Sequence, residues 1–210
     1  MSFPPSSLKV GVDIFCFVSY LISAGADGTA CMETSKDRAY LTALDPLFNP
    51  RSIAFIGASN NLMKWGYIIL DNLIDGGYTG EIYPVSVKEK QVLGRRCYKS
   101  IKDISAQIDM AMIVIPASLA ANALAECIEV GVKAVVVVTG GFSETGEAGR
   151  EMEDRLASLA REARLPMVGP NTMGVYGSGP SMAAMMAPVN PRPGVIAFVA
   201  QSGNLGTHIM

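Results

Sequence analysis

Ser52-Ile53-Ala54-Phe55-Ile56-Gly57, continued by Ala58-Ser59-Asn60-Asn61-Leu62, is the stretch on which the fold turns. A short apolar run closed by glycine predicts a strand over Ser52 to Gly57. Beyond the turn, Trp65, Ile68, Ile69 and Leu73 recur at helical spacing on one face, and Gly76-Gly77 ends that segment. Strand, glycine turn and helix make the opening unit of an alternating chain.

Toward the C-terminus the unit recurs. Glu81 to Val85 follows Gly80, and Met110 to Ile115 is an unbroken apolar run closed by Pro116, as expected of strands buried on both faces. Ala120, Ala123, Leu124, Cys127 and Ile128 share a helix face that Gly131 caps, and Ala134 to Val138 is almost pure valine. A further helix places Met152, Leu156, Leu159, Ala160 and Ala163 on one side, before a short strand over Pro166 to Val168 and the turn Gly169-Pro170-Asn171. The alternation predicts an α/β fold, a parallel sheet with helices on both faces.

Toward the N-terminus the pattern fades. Leu44-Asp45-Pro46 opens the organised sequence, with Pro46 and Pro50 expected to punctuate a turn. Residues 1–43 read as an extension, disordered at least to residue 31. Its apolar run, Ile14 to Ala26, is shorter than the roughly 18 to 20 residues a membrane span needs. A signal-peptide core, a loose extension and a true start at Met32 all remain open for it. Residues 44–190 form the expected main domain. Ile196-Ala197-Phe198-Val199-Ala200-Gln201-Ser202-Gly203-Asn204 nearly repeats Ile53 to Asn60, so residues 191–210 are expected to begin a second unit, cut short at Met210, or else to add the last strand of the first sheet.

The 210 residues are 50% apolar and 17% charged with a formal charge of −2, which excludes the basic surface a nucleic-acid binder needs. Cys16, Cys31, Cys97 and Cys127 form neither a disulfide framework nor a C-x-x-C pair, so a reducing, cytoplasmic setting is expected. One histidine, His208, cannot build a metal site alone, and no nucleophile–base pair, G-x-S-x-G elbow or P-loop occurs. No catalytic residue and no metal are expected. The methionines at 182, 185 and 186 read as packing residues.

In an open parallel sheet, ligands bind beyond the carboxyl ends of the strands. The first such loop, Gly57 to Leu62, offers unpaired N–H groups to a phosphate, or is a plain strand-to-helix turn. Ser59 and Leu62 stand where the second and third glycines of G-x-G-x-x-G belong. After the second strand, Pro84-Val85-Ser86-Val87-Lys88 carries a cation where an NAD site wants an acid. With Lys64, Lys88 suits a phosphorylated ribose, the 3′-phosphate of coenzyme A or the 2′-phosphate of NADP, although either lysine considered alone reads better as a solvated surface residue. Ile115-Pro116-Ala117-Ser118 forms an apolar lip or an ordinary helix start. Thr139-Gly140-Gly141-Phe142-Ser143-Glu144 lets backbone approach a ligand or simply turns tightly. Gly169-Pro170-Asn171-Thr172-Met173-Gly174 is a rigid turn.

Leu44-Asp45-Pro46-Leu47-Phe48-Asn49-Pro50-Arg51-Ser52-Ile53, Ile56-Gly57-Ala58-Ser59, Lys64-Trp65-Gly66-Tyr67, Tyr83-Pro84-Val85, Thr139 to Glu144, Gly169-Pro170-Asn171 and Gln201-Ser202-Gly203 resemble the NDP-forming acyl-CoA synthetases, a family similar to the alpha part of succinyl-CoA synthetase. The resemblance implies a Rossmann-like domain that binds coenzyme A, followed by a flavodoxin-like domain. It implies that Gly57, Ala58, Ser59, Lys64, Trp65, Gly66, Pro84, Ser86 and Lys88 hold the nucleotide end. Ile115, Pro116, Ala117, Thr139, Gly140 and Gly141 would line the remainder. Asn171 would face the thioester, and Ser202, Gly203 and Asn204 would open a helix steadying a phosphate on a phosphohistidine. Ser86-Val87 replaces a common Asn-Pro, and Thr172 stands where many members have cysteine. The phosphorylated histidine and ATP-grasp domain would lie beyond Met210, and His208 falls too early. The expectation is therefore a fragment that binds coenzyme A and works with the remaining synthetase domains or an ATP-grasp subunit. A stand-alone CoA-binding regulatory module and an NADP-dependent oxidoreductase domain are the alternatives.

Overall fold

The computed structural model describes residues 35–189 and 198–209. The N-terminal apolar run lies outside these residues, as do Ile196 and Ala197 of the near-repeat.

Five parallel strands make the sheet: β1 (Ser52–Ile56), β2 (Glu81–Val85), β5 (Met110–Ile113), β6 (Ala134–Val137) and β7 (Met167–Val168), ordered β2-β1-β5-β6-β7. The chain starts in the middle, steps outward to β2, then crosses back to lay β5 on the other side of β1. This reversal creates the crevice between β1 and β5 where α/β sheets place their ligands.

Strand residues alternate between two cores, which explains runs that are apolar at every position. Ile53, Phe55, Met110, Met112 and Val136 face one side, whereas Ala54, Ala111, Ile113, Val135 and Val137 face the other. The second side is covered by α3 (Ala117–Glu129) through Ala120, Leu124 and Cys127, and by α4 (Glu147–Glu162) through Leu156 and Ala160. The first side is covered by α1 (Ser35–Phe48), by α2 (Trp65–Asp75) through Ile69, Leu70 and Leu73, and by an antiparallel hairpin, β8 (Gly174–Gly177) with β9 (Met182–Met185). That hairpin is absent from the expectation because its alanines and methionines carry little strand preference. Met182 and Met185 are buried, while Met186 is half-buried at the ligand end.

Two expectations change. Pro46 lies inside α1 rather than in a turn. A proline in the last turn costs a single backbone hydrogen bond, and Asn49 finishes the helix through both its N–H and its Nδ2 to Asp45 (2.8 and 2.9 Å), with Leu47 buried beneath. Trp65 begins α2 but is 49% exposed rather than on its core face. Gly203–Ile209 forms a short helix, α5, opened and capped by Ser202 as the resemblance implies, and residues 198–200 before it carry no regular secondary structure.

Candidate functional site

The carboxyl ends of the strands open onto one cleft of about 1330 Å³. This exceeds the roughly 300–1000 Å³ of a compact small-molecule pocket and suits an extended ligand.

At one end, β1 runs into Gly57, whose φ of 105° belongs to glycine. A β-carbon there would lie 2.2 Å from Val114 O, and one on Gly66 would lie 2.0 Å from Gly57 O. The two glycines let the N-terminus of α2 press against the turn. The expectation that the turn presents unpaired amides is narrowed: Gly57 and Ala58 both donate N–H to Val85 O, at 3.0 and 3.2 Å, while the Ser59 and Asn60 N–H groups have no acceptor among the described residues. The reason is the parallel ladder, which continues one residue past β1. Further donors follow the turn. Tyr67 and Ile68 donate to Lys64 O, leaving the Trp65 and Gly66 N–H groups at the start of α2 with no backbone acceptor among the described residues. Such a pair favours an anion. Ser59 Oγ accepts the Asn61 N–H (3.1 Å), and its own proton is still available for donation.

Lys64, Lys88 and Lys99 all line this end, and none forms an ion pair with a described carboxylate. The loop carrying Lys88 is tied at three points. Ser86 donates N–H to Tyr98 O and accepts the Glu89 N–H, Asn60 Nδ2 donates to Glu89 Oε2 (2.9 Å) and Gln91 O (2.8 Å), and Lys99 Nζ donates to Val87 O (2.9 Å).

The middle and far end are built from the loops after β5, β6 and β7. Thr139 Oγ1 donates to Ile115 O (2.6 Å), and Asn171, at φ 57°, donates N–H to Thr139 O (2.8 Å). Gly140 and Asn171 therefore meet in one wall, to which Met173 and Ser202 to Asn204 add the end. Met173 packs on Gly203, where a β-carbon would overlap its Cγ. His208 points elsewhere, its Nδ1 2.7 Å from Asn204 O.

Most of the expected site residues are brought together here: Gly57, Ala58, Ser59, Lys64, Trp65, Gly66, Ser86, Lys88, Ile115, Pro116, Thr139, Gly140, Asn171, Ser202, Gly203 and Asn204 line the cleft. Three do not. Pro84 is buried within β2 opposite Phe55, Ala117 packs half-buried against the second core at the start of α3, and Gly141 has its N–H held by Glu144. Pro116 satisfies both of its readings, since it lines the cleft and starts α3.

Sequence reading missed Lys99, Ser100, Asn122 and Glu126, all of which line the cleft. Ser100 donates to Glu126 Oε2 (2.9 Å). Lys99 and Ser100 arrive through a two-residue hairpin, β3 (Gln91–Val92) and β4 (Arg95–Arg96), which folds Tyr98 back against Val85, whereas Asn122 and Glu126 reach the cleft from α3. Leu93 and Gly94 both have positive φ there, but Leu-Gly lacks the Asn-Gly signature that would announce such a turn. Among the described residues, no group of His, Cys, Asp and Glu could hold a metal, and no helix is long and apolar enough to cross a membrane.

The CoA binding domain family matches residues 51–178. The alpha subunit of ADP-forming acetate–CoA ligase I of Pyrococcus furiosus is 42% identical over 172 residues, 80% of this chain and 37% of that protein. The ADP-forming 4-hydroxybutyrate–CoA ligase of Nitrosopumilus maritimus is 37% identical over 160 residues, 75% of this chain and 23% of that protein. In solved structures, the fold matches the dinucleotide-forming acetyl-coenzyme A synthetase 1 of Ca. Korarchaeum cryptofilum with a TM-score of 0.70 at 32% identity, over 80% of this chain and 36% of that one. A Pyrococcus horikoshii protein matches with a TM-score of 0.74 at 42% identity, over 79% and 38%. The chain thus spans little more than a third of the length of its first curated relatives.

Proposed function

Because the chain belongs to the CoA binding domain family, we propose that it supplies the coenzyme A site of an NDP-forming acyl-CoA synthetase, which interconverts acyl-CoA, NDP and phosphate with acid, CoA and NTP. The supporting observation is the asymmetry of the long cleft. Three lysines without an ion pair among the described residues and two helix-start amides occupy one end, and uncharged backbone and an asparagine occupy the other. Coenzyme A has the same polarity, a phosphorylated nucleotide joined to a long thiol arm.

Lys64 and Lys88 hold the ribose phosphate and the Trp65 and Gly66 N–H groups hold the diphosphate, each contact being charge-assisted. Ile115, Pro116, Thr139 and Gly140 flank the arm and keep water from it. Asn171 and Ser202 to Asn204 sit where acyl transfer takes place. Bound coenzyme A supplies the thiol that takes up the acyl group. Nothing lining the cleft is a histidine, and the proposed role of this chain is to hold and orient. Its partners are the remaining synthetase domains or an ATP-grasp subunit.

Calorimetric titration with coenzyme A, dephospho-coenzyme A and NADPH tests the reading. The expected order is coenzyme A tightest, dephospho-coenzyme A weaker, and NADPH without measurable heat. Tight NADPH binding without coenzyme A binding would overturn it.

A further inference from the structure

We infer that Glu144 is the positioning residue of the cleft's far end, holding the Thr139–Phe142 turn so that Gly140 meets the thiol-bearing arm of the ligand. The inference rests on the proposed coenzyme A reading. Glu144 does not line the cleft. It stands behind the wall, on the 3-10 turn Ser143–Thr145, with Oε1 taking the Gly141 N–H at 2.5 Å and Oε2 taking the Phe142 N–H at 3.1 Å. A second carboxylate, Glu153 of α4, takes the Ser143 N–H at 3.0 Å. Phe142 is anchored in the core at 1% exposure, and Thr145 closes the turn with both its N–H and hydroxyl on Phe142 O, each at 2.8 Å.

These bonds carry through to the cleft. A β-carbon on Gly140 would lie 3.2 Å from both Glu144 Oε1 and Asn171 Oδ1, so the carboxylate and the amide bracket the glycine that faces the ligand. Thr139 joins the same turn to Ile115 and Asn171. One side chain therefore sets the course of a wall shared by three loops. Burial pushes the Glu144 carboxyl up, but the backbone N–H groups of Gly141, Glu144 and Phe142 outweigh it and hold the pKa below the ordinary carboxylate range. At neutral pH Glu144 is an acceptor only, as clamping two amides requires.

The test uses the 210-residue chain and two ligands, coenzyme A and adenosine 3′,5′-bisphosphate, the latter carrying the nucleotide end without the arm. Glu144→Ala is expected to weaken coenzyme A about ten-fold and leave adenosine 3′,5′-bisphosphate within about two-fold. Glu144→Gln, which keeps one acceptor oxygen for one of the two N–H groups, should fall between. Equal loss for both ligands, or unchanged coenzyme A affinity in both variants, overturns the inference. Failure of the unsubstituted chain to bind either ligand would instead remove the coenzyme A reading, and the inference with it.

Discussion

The two ends of the same parallel sheet treat charge in opposite ways. At the amino end, Asp109 is 7% exposed and fully engaged. It accepts from Lys133 Nζ (2.7 Å) and the Arg51 N–H (2.9 Å), while the Arg51 guanidinium lies 3.6 Å away. Ser52 completes this seam, donating to Gln107 O and accepting the Asp109 N–H, both at 2.9 Å. At the carboxyl end, Lys64, Lys88 and Lys99 form no ion pair with a described carboxylate, and the first amides of α2 have no backbone acceptor. Satisfied polar groups lock β1, β5 and β6 together at one edge; cations without a described carboxylate partner gather at the other, an arrangement suited to an anion. Substitutions at the two ends should therefore separate stability from binding.

The sharpest break is where the ends are not independent. Gly57→Ala puts a methyl into Val114 O at a φ that disfavours alanine, so it should cost about 3 kcal/mol or more of stability and abolish coenzyme A binding together. Urea unfolding and calorimetry on one preparation read both. A stable, binding-competent variant would deny the close approach of the turn and α2.

Asp109→Asn comes next, and should lower stability by about 1–3 kcal/mol with affinity unchanged, because Lys133 loses its partner far from the cleft. Burial pushes the Asp109 carboxyl up, but the Lys133 hydrogen bond and Arg51 more than reverse this, so its pKa lies below the usual aspartate range. A carboxyl depressed in the folded state contributes stability above its unfolded pKa of about 3.9 and loses it as pH falls through the folded value. Denaturation midpoints between pH 6 and pH 2 should show an acid-side loss that Asp109→Asn lacks, with pH values set by the buffers at about those limits.

Lys88→Ala is expected to do the reverse: about ten-fold weaker coenzyme A at low ionic strength, little change for dephospho-coenzyme A, and unaltered urea midpoint. Lys99→Ala should give the smallest effect, about three-fold on coenzyme A, since its ammonium already donates to Val87 O and acts partly by holding the Lys88 loop. If Lys99→Ala exceeded Lys88→Ala, the phosphate would lie nearer the β3–β4 hairpin than the loop after β2.

Legibility in the sequence followed the range of the interactions. Strands such as β2 and the valine run of β6 were readable because apolar runs and flanking glycines are local signals. Lys64, Lys88, Gly140 and Asn171 were readable because strand ends of a parallel sheet converge on one edge. Pro84 and Gly141 were misplaced because side-chain direction at a strand end or a positive-φ turn depends on register, which spacing does not encode. Lys99 lies far from the glycine-marked loops and reaches the cleft through a hairpin with no turn signature, and Glu126 reaches it from the C-terminal half of α3.

By itself, the sequence determined the alternation of strands and helices, and with it a layered parallel sheet whose carboxyl edge carries glycines and lysines. Periodicity and punctuation act over a few residues and need no partner. Only the tertiary structure decided that a hairpin, β8–β9, would cover part of one face, that the Gly57 and Ala58 amides would go to Val85, and that Glu144 would brace the far wall from behind. Each depends on which distant backbone group arrives within about 3 Å, and that is set by how the layers pack.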